Sequence, residues 1–246
     1  MRRTLGWVSG IAFGVLMLAS PASAQVVQSI QVGGGWFFPR GEDSRVVGDV
    51  LVANLTNKGT IPGYSDALLF DIGDFRSGNV VGEWNVTFGD RVEIGASLGY
   101  SSQSVPSVYQ DFENATGFEI RQELKLRIVP VMGIVRFMPF GRAGTVQPYV
   151  GAGLGALNFR YSEAGEFVDP SNLDIFEARY TATGTTLGTA LLGGVKLPLG
   201  GDIYGLNIEY RYQFGSGNTG GASNGFLDEK IDLSGGTFNF TFQVRF

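Results

Sequence analysis

Cysteine and histidine are both absent from the 246 residues. No disulfide can form. Catalysis that needs an imidazole or a thiol is excluded, and so are zinc sites of the Cys/His kind. Charge is scarce as well, at 17% against the ~25% of ordinary proteins. The 18 basic residues are outnumbered by 23 acidic ones, which argues against nucleic acid, because little is left to neutralise phosphates. Beyond the first 24 residues no stretch is apolar enough to form a transmembrane helix. Apolar residues still make up 43% of the chain, which excludes disorder. Glycine is in excess, with 38 residues, about twice the ~7% norm.

The first 24 residues read as a secretory signal rather than as part of a fold. Arg2 and Arg3 are the positive start, 5–18 is the apolar run, and Ala22-Ser23-Ala24 is the small-residue cleavage site, with Ala22 and Ala24 as its recognition positions. A membrane anchor is the alternative, but the run is short of the ~20 residues a span needs. The expected mature domain is 25–246. It loses two arginines, so 16 basic residues face 23 acidic ones, a net charge of −7.

That domain is dominated by period-two alternation, the mark of strands with two unlike faces. Tyr204, Leu206, Ile208, Tyr210, Tyr212 and Phe214 alternate with Gly205, Asn207, Glu209, Arg211 and Gln213. Phe238, Phe240, Phe242, Val244 and Phe246 alternate with Thr237, Asn239, Thr241, Gln243 and Arg245. Six further strands follow the same rule, around Ile30–Phe38, Val80–Phe88, Val92–Tyr100, Leu124–Phe137, Gln147–Tyr161 and Leu187–Leu197. In the fourth, Leu124, Leu126 and Ile128 share the phase of Arg136, so a uniform apolar face requires a phase change near Val129-Pro130, as a bulge would give. Long connections (40–77, 102–117, 162–175, 215–229) alternate with short ones (89–91, 140–146, 199–202). Long loops on one side and short turns on the other are the layout of outer-membrane barrels. Phe88, Tyr100, Tyr161, Tyr212, Phe214 and Phe246 stand near strand ends on the apolar face, as interfacial girdles do.

The reading is an all-β chain: an eight-stranded, antiparallel, up-and-down transmembrane β-barrel with the apolar face outward. A soluble barrel of lipocalin type is the alternative, with the apolar face inside. The expected lumen then holds Glu83, Glu93, Glu123 and Glu209 with Lys125, Arg127, Arg136, Arg160, Lys196, Arg211 and Arg245. Eight strands leave room only for side chains, so ion pairs that plug the barrel are expected. The excess of base leaves an anion-preferring leak as the alternative. Gly151, Gly153 and Gly155 lack the G-x-G-x-x-G spacing of a dinucleotide loop. Asp169, Asp174, Asp228, Glu229 and Asp232 form no calcium-loop motif and read as a solvated acidic loop. No cofactor and no metal are expected.

The chain resembles the small eight-stranded outer-membrane barrels of the outer-membrane protein A and X type. The resemblance covers nearly all of 25–246. It rests on Val146-Gln-Pro-Tyr149-Val-Gly151-Ala-Gly153-Leu-Gly155, on Leu206-Asn-Ile-Glu-Tyr-Arg-Tyr212 and on the terminal strand. It implies residence in the outer membrane, contact with its lipid, a monomer, and a terminal strand read by the barrel-assembly machinery. Asn239, Val244 and Phe246 match that terminal signal, while Thr241 stands where a glycine is expected. The implied role is non-enzymatic: envelope structure and surface interaction through extracellular loops. A small passive pore is the alternative. A lipid-modifying enzyme is the third reading, but the barrel enzymes of that kind use a histidine base that this chain lacks.

Overall fold

The computed structural model describes residues 26–57, 65–169, 172–199 and 203–246. The expected signal segment, its cleavage positions Ala22 and Ala24, and most of the turn at 199–202 lie outside the described residues. Eight strands form one ring: β1 (Val27–Pro39), β2 (Ser77–Phe88), β3 (Val92–Glu113), β4 (Glu119–Phe137), β5 (Gln147–Val168), β6 (Ile175–Leu199), β7 (Tyr204–Phe214) and β8 (Gly235–Arg245). Each pairs antiparallel with its sequence neighbours, and β1 pairs with β8, from Ser29 opposite Arg245 to Pro39 opposite Gly235. Closure leaves the ring without an edge. The β2–β3 turn is tight, and Gly89, with φ of 61°, takes the left-handed conformation there that glycine adopts at no steric cost.

Four strands are far longer than a membrane requires. β3, β4, β5 and β6 have 22, 19, 22 and 25 residues, against the ~9–11 of a tilted span. The segments expected as long loops at 102–117 and 162–175 are therefore mostly strand, because the two hairpins rise past the belt before they turn.

No phase change occurs at Val129-Pro130. The β4–β5 register is unbroken from Gln122 opposite Gly165 to Phe137 opposite Val150. Leu124, Leu126, Ile128, Met132, Ile134 and Arg136 all point inward and are buried. What changes is polarity rather than phase. Below this level the outer face is apolar and the interior mainly polar, with Met132, Ile134 and Leu192 as buried apolar exceptions. Above it the apolar residues turn inward, and the outer wall carries the charges.

The upper interior is filled from both ends of the chain. The helix α1 (Val50–Thr56) lies in the first loop, and its Val50 and Leu51 are fully buried. They join a core with Leu124, Leu157, Phe159, Tyr161, Phe226, Ile231 and Leu233. Glycines make room for it: a β-carbon at Gly184 would lie 2.8 Å from the Phe159 ring, and one at Gly188 would lie 2.5 Å from Leu157 Cγ.

Candidate functional site

The lower lumen is built by strand alternation, which turns every second side chain of each strand inward. At its centre three carboxylates meet three cations. Arg136 on β4 donates to Glu83 Oε2 at 2.6 Å, to Glu209 Oε2 at 2.7 Å and to Glu93 Oε1 at 3.1 Å. Its Nη1 also donates to Asn85 Oδ1 at 3.0 Å. Arg211 on β7 spans Glu83 and Glu209 and donates to Ser97 Oγ. Lys196 on β6 donates to both oxygens of Glu93, at 2.6 and 2.5 Å. The Tyr149 hydroxyl on β5 lies 2.8 Å from Asn207 Oδ1 and from Glu209 Oε2, and its ring faces the Arg136 guanidinium at 5.3 Å. Asn207 continues the network to Gln31 on β1 and Thr241 on β8. Every strand of the ring thus supplies a member.

Charge in this cluster balances, three against three, and every carboxylate has more than one donor. Buried ions are costly unless paired and hydrogen-bonded. Here that requirement is met by long side chains crossing the lumen, which fills the space that water or an ion would need.

The expected lumen set divides in two. Glu83, Glu93, Glu209, Arg136, Lys196 and Arg211 come together. Glu123, Lys125, Arg127 and Arg160 do not, because they sit in the outward phase of β4 and β5 above the apolar belt, with Arg127 half-buried and the other three exposed. The same polarity reversal moves Tyr161: expected in the outer girdle, it points inward and is fully buried. Arg245 lies apart from the carboxylates at the lower mouth, where it donates to Gln147 Oε1 at 3.1 Å. The expected excess of base over acid is therefore absent from the cluster. Sequence reading missed Asn85 and Tyr149, neutral partners that carry no charge signal.

It also missed the clasp that closes the upper mouth. Asp49 caps α1 by accepting from the amides of Leu51 and Val52, a standard N-cap role. Its carboxylate also accepts from Arg45 Nε at 2.9 Å and from the Asp232 amide. Asp232, expected as part of a solvated acidic loop, is buried and accepts from the amides of Val46 and Ser234. First and last loops are thereby tied together. Deeper in, Asn54 of α1 donates to Glu163 Oε1 at 2.7 Å, which also receives the Tyr161 hydroxyl at 2.8 Å. Burial raises the Glu163 carboxyl above its ordinary range, against the opposing pull of these two donors. Tyr109, beside it, is pushed up to about 12 by burial.

The outer wall decides the setting of this interior. Val32, Val80, Leu98, Val131, Val150, Leu154, Leu187 and Leu191 are each more than half exposed, and they form a continuous apolar belt. Trp36, Phe38, Tyr100, Phe214 and Phe238 rim it above, while Phe88, Phe137, Tyr204 and Phe246 rim it below. An exposed apolar surface of this extent calls for lipid, and only closed barrels can cross it with strands. The protein is a membrane-spanning β-barrel. Among the described residues no helix is long and apolar enough to cross a membrane, so the barrel itself is the crossing.

No protein-family model matches the chain, and no curated protein matches it. Solved barrels do. The outer membrane protein OprG of Pseudomonas aeruginosa is 14% identical, over 89% of this chain and 95% of that one, with a TM-score of 0.48. Ail, the attachment invasion locus protein of Yersinia pestis, is 13% identical over 90% and 99%, with a TM-score of 0.44. Neisserial surface protein A is 14% identical over 90% and 96%, with a TM-score of 0.42.

Proposed function

We propose that the protein is a non-enzymatic, monomeric outer-membrane barrel that holds a rigid crown outside the cell and serves the envelope through that surface. The observation that carries this reading is the double closure of the lumen: a neutral ion-pair network below, and α1 with the last loop above. A pore needs a continuous wet path, and both levels are filled with packed side chains. The crown is fastened to the barrel by the Arg45–Asp49–Asp232 clasp and by strand extensions, so the loops present a fixed outline to partners.

The balanced network also weighs against the alternative of a passive anion leak, since the central cluster that crosses the lower lumen holds no surplus cation. Planar-bilayer recording of the purified barrel tests the reading, and silence at ordinary voltages is expected. Steady unitary conductance would replace it with the pore.

Biogenesis completes the proposal. Phe246 is 67% exposed at the lower rim, its backbone paired with Gln28. Val244 shares its outward phase, and Asn239 is bound inside by Asn79 Nδ2 at 2.8 Å. We take Asn239, Val244 and Phe246 as the signal read by the barrel-assembly machinery.

A further inference from the structure

The outer wall carries a cationic cluster that the interior network does not use. Lys125, Arg127, Arg160 and Arg179 line one hollow of about 290 Å³, together with Tyr100 and Ser162. Four features set it apart. Arg127 and Arg160 are direct cross-strand partners, a like-charge pairing that destabilises a sheet unless an anion lies between. Among the described residues none of the four cations has a carboxylate within ion-pair distance. Arg127 Nε is buried with no hydrogen-bond partner. Ser162, outward in phase, is only 5% exposed, so the hollow has a polar floor beneath the long basic side chains.

Its height on the barrel identifies the occupant. Along β4 the outward series runs Phe137, Val135, Val131 and then Arg127. Along β5 it runs Val150, Leu154 and then Arg160. Tyr100 closes the belt on β3. Arg127 and Arg160 are the first charges above the hydrocarbon on their strands, on the side of the long connections. That is the level of the headgroups of the outward leaflet. Arginine forks match phosphate oxygens in geometry as well as charge.

We propose that Lys125, Arg127, Arg160 and Arg179 bind the phosphate groups of a phosphorylated glycolipid in the outward leaflet, with its acyl chains lying on the apolar belt below Tyr100. The proposal rests on the outer-membrane orientation given above.

The test uses the full mature barrel in nanodiscs of neutral phospholipid doped with phosphorylated lipopolysaccharide, with bound glycolipid counted by native mass spectrometry. A heat-shift gel on each sample reports folding separately, so loss of binding by an intact barrel bears on this site alone. Arg127→Gln/Arg160→Gln should weaken binding by about thirtyfold, as expected for two basic residues at an anionic surface. Arg121→Gln, whose charge lies outside the hollow on the same strand, should change it less than about threefold. Enzymatically dephosphorylated lipopolysaccharide should not be retained, and excess inorganic phosphate should not displace the glycolipid. Equal binding by the double variant, or by the dephosphorylated lipid, would overturn the proposal. Displacement by inorganic phosphate would assign the hollow to free phosphate and overturn the lipid assignment.

Discussion

Replacing Arg136 by methionine is the sharpest test of the lumen network. The guanidinium touches all three carboxylates and Asn85. Its removal leaves Glu83, Glu93 and Glu209 facing only Lys196 and Arg211, one uncompensated negative charge inside a closed barrel. Breaking a buried pair by deleting one partner costs ~3–5 kcal/mol, and methionine keeps most of the filled volume, so cavity formation adds little. Arg136→Met is therefore expected to lose about 3–5 kcal/mol. Glu209→Gln in the same chain restores the balance, two acids against two bases, and leaves Tyr149 and Arg211 an amide oxygen to bind. The double variant should recover at least half of the loss, giving a strong favourable coupling in a double-mutant cycle. Denaturant unfolding in lipid vesicles, followed by tryptophan fluorescence and gel shift, measures all four corners. A single-variant cost below about 1 kcal/mol, or strict additivity, would show that the network is not the structural plug described here.

Three further outcomes are expected. Leu206→Arg should cost ~2–4 kcal/mol, because a basic residue at mid-depth faces hydrocarbon, while the adjacent buried Asn207→Gln should cost less; equal effects in unfolding titrations would mean the faces are misassigned. Glu163 lies above the belt and has a raised carboxyl pKa, so its contribution to stability is full below the ordinary value of 4.5 and is lost as pH climbs through the raised one. Glu163→Gln should thus match the wild type near about pH 4 and protect the amides of α1 better near about pH 8, read by hydrogen exchange; a pH-independent difference would refute this. Deleting Phe246 removes at most ~1.5–3 kcal/mol of apolar contact, so refolding in detergent should persist while outer-membrane yield in cells falls; a parallel fall in both would make the residue structural instead.

Much of the barrel was legible because β1, β2, β7 and β8 are short and, apart from the inward Phe37 and Val81, keep one polarity. Tyr204 to Phe214 and Phe238 to Phe246 show the outer and inner faces directly. The error at Leu124, Leu126 and Ile128 has a physical origin. Alternation reveals two faces but not which solvent each face meets, and one solvent was assumed along the whole strand. Strand length carries the missing signal. Five outward apolar residues from Phe137 to Val129 already cover a membrane span, so Arg127 and everything beyond it stands in water, where the usual rule of apolar inside returns. Misplacing Lys125, Arg127 and Arg160 followed from that single assumption. The central cluster was found through its charges, while the clasp escaped because Asp232 is remote in sequence from Arg45 and Asp49 and none of the three lies in a long alternating strand.

The long hairpins act as masts. From Ser101 to Glu113, β3 continues beyond the rim residue Tyr100, and at ~3.3 Å per residue this is roughly 40 Å of strand. With the tilt of ~35–45° usual for barrels, the tip stands roughly 30 Å above the rim. At that height the turn after Glu113 is held by Asn114, whose side chain accepts from the amides of Thr116 and Phe118. A short epitope grafted at Ala115 would be lifted about one bilayer thickness clear of the lipid surface, within reach of an antibody applied to intact cells, while the same graft in the tight turn at Asp90 would stay hidden on the opposite side.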